Sequence, residues 1–185
     1  MFSDANWGGT HTDRRSVGGG GCFMNGALVL WQCKRQPVIT LSSAESEYTQ
    51  ASLMACMALY ARSVATDIGI PQISATPLLE DNQSAINIAS NPMASVRSRH
   101  VDIKYHHLKD EVRKGTIRMV FLPTANQLAD IFTKSLGNIL FVRFRDIIKG
   151  NQPFEDELLQ ACNARPQVTG NPITLIVFGT NWTST

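Results

Sequence analysis

The chain has 185 residues, 43% of them hydrophobic, with a formal net charge of +2 at neutral pH. That is enough apolar material for one sizeable core, and it excludes both a charge-driven disordered chain and a strongly basic one. No apolar run approaches the roughly 20 residues of a membrane span, and the four cysteines form no paired spacing, so a disulfide framework, a zinc cage and a membrane anchor are not expected.

The residues from Phe2 to Trp7 alternate in the manner of a half-buried strand, with Phe2, Asp4 and Asn6 on one face. A carboxylate on such a face is costly without a partner or a metal. Asp4 also lies close to the chain start, where strand ends fray. The run Gly18 to Gly21 is too long for a turn and weak as a strand. Cys22 to Met24 resumes a strand, and Asn25-Gly26 is a strong two-residue hairpin signal before the return strand Ala27 to Cys33.

Ser42 with Glu45 three residues on matches a capping box and predicts a helix running to about Ile68, closed by Gly69. Glu45 then has a structural task, which leaves Glu47 without one. Glu47, Ala51, Met54 and Ala58 share a helical face small enough to lie close on a sheet, and Glu47 points inward near the helix N-terminus.

Pro77 to Ser90 is the most informative stretch. Leu78 and Leu79 read as a buried strand, Ser84 to Ala89 as a new helix, and Asp81 falls on the strand's C-terminal lip, where open α/β sheets collect ligands. Asp81 or Asn82 could equally serve as helix cap. An amphipathic helix is expected from Ser98 to Lys114, a strand from Thr116 to Leu122, and a helix from about Ala125 to Lys134 with Asp130 at the border of its apolar side. Between Arg97 and Arg118 stand seven Lys/Arg against three Asp/Glu, a local +4, with three of the four histidines in the same segment. A basic stripe on a near-neutral protein suggests phosphate contact, and a solvated helix face is its structural alternative. His100, His106 and His107 lack a cysteine or carboxylate at a supporting spacing, which argues against a metal site there. Ile139 to Ile148 reads as another helix, Phe154 to Ala164 as a short one, and Ile173 to Phe178 as a β-prone apolar run. The cysteines read as buried thiols of an intracellular protein.

The predicted order is three strands, helix, strand, two helices, strand, helix. The motifs Ser3-Asp4-Ala5-Asn6-Trp7, Asp13-Arg14-Arg15-Ser16, Leu41-Ser42-Ser43-Ala44-Glu45-Ser46-Glu47-Tyr48, Asp81-Asn82-Gln83-Ser84-Ala85, Arg99-His100-Val101-Asp102-Ile103-Lys104-Tyr105-His106 and Gln127-Leu128-Ala129-Asp130-Ile131-Phe132-Thr133-Lys134 occur in that order. Together they resemble the ribonuclease H domain at the end of copia-type LTR retrotransposon polyproteins. The resemblance covers about residues 2–136. It implies an α/β, ribonuclease H-like fold: a five-stranded mixed sheet, three antiparallel strands followed by parallel additions, flanked by helices. Residues 1–136 would form that domain, 137–150 a helical extension and 151–185 a weakly structured tail.

The resemblance further implies an endoribonuclease that cuts the RNA strand of an RNA–DNA hybrid by two-metal hydrolysis. Its metal-ligating, catalytic acids would be Asp4, Glu47, Asp81 and Asp130, the family's Glu-Tyr pairing selecting Glu47. Two Mg²⁺ ions, with Mn²⁺ as a substitute, roughly 4 Å apart, activate water and stabilise the leaving oxygen. Hard oxygen ligands suit such ions. Arg97, Arg99, His100 and Lys104 would grip the hybrid's phosphates, with Arg15 as a further contact. The implied partners are the hybrid and a reverse transcriptase domain, with no membrane and no small-molecule cofactor. The setting is the cytoplasm or nucleus, or a virus-like particle where the element is active. The alternative is a truncated, inactive remnant that still binds nucleic acid.

Overall fold

In a computed structural model, residues 1–9, 14–91 and 106–154 are described. The elements are β1 (Phe2–Asn6), β2 (Val17–Met24), β3 (Ala27–Arg35), α1 (Ser43–Asp67), β4 (Thr76–Glu80), α2 (Gln83–Ser90), α3 (His107–Lys114), β5 (Ile117–Phe121) and α4 (Asn138–Ile148). Two short 3-10 turns, Thr124–Asn126 and Leu128–Phe132, lie between β5 and α4. The strands form one mixed sheet in the order β3-β2-β1-β4-β5. β1–β2 and β2–β3 pair antiparallel, whereas β1–β4 and β4–β5 pair parallel. This is the α/β architecture of a ribonuclease H-like fold.

Local chemistry explains the first half. Asn25 and Gly26 both adopt positive φ, 50° and 81°, as a tight hairpin turn between paired Met24 and Ala27 requires. Ser42 caps α1 by accepting from the Glu45 N–H at 3.2 Å, and Glu45 reaches back to the Leu41 N–H at 2.7 Å. Gly69, at φ 81°, ends the helix run.

The sheet is covered on both faces. One core joins Tyr48, Met54 and Ala58 of α1 with Leu78, Leu108 and Ile117. The other joins Phe2 and Leu79 with Leu122, Leu128, Phe144 and Ile147, so α4 packs onto the domain. Consecutive Leu78 and Leu79 thus serve opposite faces, as strand alternation demands. Phe154 stacks on Phe2, with ring centroids 6.0 Å apart, and meets Phe23 edge-on at 4.9 Å.

Four expectations change. First, the glycine run is the buried centre of β2. A Cβ at Gly20 would lie 2.4 Å from the Phe2 carbonyl oxygen and 2.7 Å from Met54 Sδ. On the other face, one at Gly19 would meet Phe132 Cβ at 2.6 Å. The glycines admit close neighbours on both sides of the sheet.

Second, β1 is not frayed. It is the central strand, with its terminal amine donating to the Pro77 carbonyl at 3.1 Å and the Leu79 N–H donating to the Met1 carbonyl at 2.9 Å. Third, the helix expected over 125–134 is two 3-10 turns. Gln127 between them is extended (φ −72°, ψ 93°), because its amide donates to the Ser3 carbonyl at 2.9 Å and accepts from the Ala129 N–H. Fourth, Cys22 is buried but Cys33 and Cys56 are exposed. Cys33 lies on the outermost strand and Cys56 on α1 beside His107 of α3. Of the helix expected over 98–114, residues 98–105 lie outside the described residues, as do Cys162, residues 155–164 and the apolar run 173–178.

Candidate metal centre

The acids converge because three neighbouring elements end at one edge of the sheet. β1 carries Asp4 at its middle position, two residues before its C-terminal end. β4, parallel to β1, ends at Glu80 and delivers Asp81 on its lip. α1 starts at the same edge and brings in Glu47 as its fifth residue. Asn82 caps α2 by accepting from the Ser84 and Ala85 N–H groups at 3.0 and 3.2 Å. That resolves the capping question in favour of Asn82. Asp81 is left to face the cluster.

One carboxylate oxygen from each of Asp4, Glu47 and Asp81 lies within 4.8 Å of the others. Asp4 and Glu47 are buried and Asp81 is half-buried, so the group has one side toward solvent. Asp130 stands next to it but outside that set. Lys134 bridges the two: its Nζ lies 2.9 Å from Asp130 Oδ1 and 3.6 Å from Asp4 Oδ1. The Thr133 hydroxyl donates to Asp4 Oδ2.

The site holds a fifth acid that sequence reading gave no role. Glu80 is fully buried, and its carboxylate accepts from the Ser3 hydroxyl at 2.7 Å and the Asn82 N–H at 3.2 Å. The signal was available, since Glu80 alternates with Leu78 and must face the same covered side. Gln127 and Thr133 gave no such sign, because their partners are more than 120 residues away.

Burial and crowding shape the charges. Burial, then the charges of Glu80, Asp4 and Asp81, push Glu47 up to about 11, against a smaller downward pull from the Ala5 N–H. Glu80 is pushed up to about 8 chiefly by burial, offset by its Ser3 and Asn82 hydrogen bonds. Asp130 is pushed up to about 6 by burial, with Lys134 opposing. Burial lowers Lys134, but Asp130 and Asp4 outweigh it and the net shift is upward.

These features fit a divalent cation. Glu47 Oε2 is buried with no hydrogen-bond partner, and a buried acceptor without one is costly. The gathered donors are all carboxylate oxygens, which suit a hard ion such as Mg²⁺ or Mn²⁺ over zinc or copper.

The chain is similar to Pol polyproteins of transposons. It is 32% identical over 144 residues to the retrovirus-related Pol polyprotein from transposon RE2 of Arabidopsis thaliana, a match covering 77% of this chain and 10% of that protein. The corresponding polyprotein from transposon RE1 of the same plant is 31% identical over 77% of the chain. That from transposon TNT 1-94 of Nicotiana tabacum is 26% identical over 80%. The chain spans about a tenth of the length of these relatives. No family model matches it, and no solved structure does. The similarity supports a retrotransposon origin.

Arg97, Arg99, His100 and Lys104 lie outside the described residues. Arg15 is half-buried just ahead of β2, at the sheet edge that carries the acids, since Val17 pairs with Asn6. Arg118 pairs with Pro77 at the opposite end of β4. In α3, Arg113 and Lys114 are tied to Asp110 and Glu111 at 2.9 and 2.7 Å. Among the described residues, no helix is long and apolar enough to cross a membrane.

Proposed function

We propose that this protein is a retrotransposon-derived ribonuclease of the ribonuclease H type, hydrolysing the RNA strand of an RNA–DNA hybrid with Mg²⁺ or Mn²⁺. One observation carries the reading. Three acids from β1, α1 and β4, far apart in sequence, bring ligand oxygens within 4.8 Å of one another at the C-terminal edge of a ribonuclease H-like sheet.

Asp4, Glu47 and Asp81 would hold the ion, and Asp130 is the fourth acid of the site. A divalent ion held there supplies Lewis-acid stabilisation of charge at a phosphodiester. The chain's own groups do the positioning. Thr133 fixes one oxygen of Asp4, which turns the other toward Lys134 and the cluster. Gln127 ties the 3-10 turn that carries Asp130 to β1 through the Ser3 carbonyl. Asp81, half-exposed on the lip, is the acid nearest to an incoming strand. Arg15 and the basic segment containing Arg97, Arg99, His100 and Lys104 would hold the hybrid through phosphates and the shallow minor groove. A reverse transcriptase domain is the natural companion, and the setting is intracellular.

The second reading is a non-catalytic remnant that retains nucleic-acid binding. It draws on Lys134, whose ammonium already neutralises Asp130 and Asp4. Cleavage of a labelled RNA–DNA hybrid by the purified chain in Mg²⁺, with Asp81→Asn alongside, separates the two. Mg²⁺-dependent cleavage lost in Asp81→Asn supports the nuclease. A folded chain that binds the hybrid without cutting it supports the remnant.

A further inference from the structure

Away from the acids, α1 and α3 meet at a polar cluster. His107, the first residue of α3, lies with Nε2 3.1 Å from Cys56 Sγ and Nδ1 3.1 Å from Ser52 Oγ. Ser52 is buried, His107 half-buried and Cys56 exposed. Ser52 and Cys56 are one helical turn apart, so both face the same ring. With the thiol donating to Nε2, Nδ1 carries the hydrogen and donates to Ser52 Oγ, which fixes the ring's orientation.

The geometry points to Cys56 as a reactive thiol of this protein, activated by His107 and open to exchange with a low-molecular-weight disulfide. A nucleophile, a base in hydrogen-bond reach and a third group that orients the base are together the arrangement that activates a weak nucleophile. In the reaction Sγ attacks one sulfur of the disulfide while its proton passes to Nε2. The new S–S bond forms, the old one breaks, and the released thiolate takes up the proton. Cys56 is oxidised and half of the disulfide is reduced, so no further oxidant is needed. The product carries bulk where the imidazole lay, which parts His107 from Cys56 and removes a tie between α1 and α3.

Cys33 supplies an internal comparison. It is also exposed, but its thiol donates to the Phe132 carbonyl at 2.8 Å. A carbonyl holds the proton in place and accepts none. Burial pushes the Cys56 thiol up, so faster reaction at Cys56 has to come from the imidazole that takes its proton.

The test is reaction of the full chain, carrying Cys162→Ser, with oxidised glutathione, each cysteine followed by peptide mass spectrometry. Because an ordinary thiol is only a few per cent ionised near neutrality, activation has room for roughly tenfold. Cys56 is expected to react on that order faster than Cys33. In His107→Gln, checked for folding by circular dichroism, it falls to the Cys33 rate or below. Ser52→Ala, which keeps the base and frees its ring, gives an intermediate rate. The inference is overturned if Cys56 reacts no faster than Cys33, or if a folded His107→Gln leaves its rate unchanged. Neither outcome depends on nuclease activity.

Discussion

The acid-lined edge of the sheet and the basic helix α3 treat charge in opposite ways. On α3 two ion pairs close three residues apart at the surface, exposed Arg113 with exposed Asp110 and exposed Lys114 with half-buried Glu111. At the sheet edge, Asp4, Glu47 and Glu80 are buried, and Lys134 reaches in to Asp130 and Asp4. Exposed pairs sit in high dielectric and contribute little either way. Buried like charges cannot be left alone, so they neutralise by protonation or await a cation from outside. The contrast marks the sheet edge, not the charge-rich helix, as the place where acids that could hold a metal are crowded and buried.

The strongest way to break that comparison is Asp81→Asn. It removes a charge from the half-exposed lip while keeping shape, and hybrid cleavage in Mg²⁺ should fall by several kcal/mol of barrier, beyond ordinary detection. Retained cleavage in a gel assay would place the chemistry elsewhere.

Next is the pH dependence of the metal-free fold. Glu47, Glu80 and Asp130 are all raised above their unfolded values, to about 11, 8 and 6. Between the unfolded and folded pKa the native state holds more protons, so stability present near pH 4 is lost as pH rises through 6 and 8. Thermal melts in chelator should therefore show a lower Tm at pH 8 than at pH 5. Saturating Mg²⁺ should close the gap by favouring the charged forms. A chelated protein with equal Tm at both pH values would show that the acids are not under strain.

A third test leaves charge aside. Gly20→Ala forces a methyl against the Phe2 carbonyl and Met54, and overpacking of this kind costs about 1–3 kcal/mol. Chemical denaturation should show it, and an unchanged midpoint would mean that α1 can back away from β2. The smallest effect is expected on α3. Arg113→Ala removes one exposed ion pair and should shift stability by under about 1 kcal/mol in the same assay. A larger loss would make α3 more than a locally satisfied surface.

Much of this was legible in the chain itself. The Asn25-Gly26 hairpin, the Ser42–Glu45 cap, the inward face of Glu47, Ala51, Met54 and Ala58, and the buried Leu78–Leu79 strand all follow from interactions spanning a few residues, which local sequence encodes. Local sequence also put Asp81 on a strand lip. It misread the segment after β5 as a helix because Gln127 spends its side chain on Ser3, a partner no local pattern contains. It undervalued the Gly18–Gly21 run because a glycine strand is weak alone and becomes necessary only when α1 and Phe132 press on its two faces.

The sequence by itself therefore determined the elements, their order and a set of acids that resemble one family's motifs. Tertiary structure alone decided which acids meet. Parallel pairing of β1 with β4 set Asp4 beside Asp81, while Lys134 bridged Asp130 to Asp4 and Glu80 entered unannounced. The physical reason is range. Caps, turns and periodicity act over one or two helical turns, whereas a cluster of buried carboxylates exists only once strands distant in sequence are hydrogen-bonded side by side.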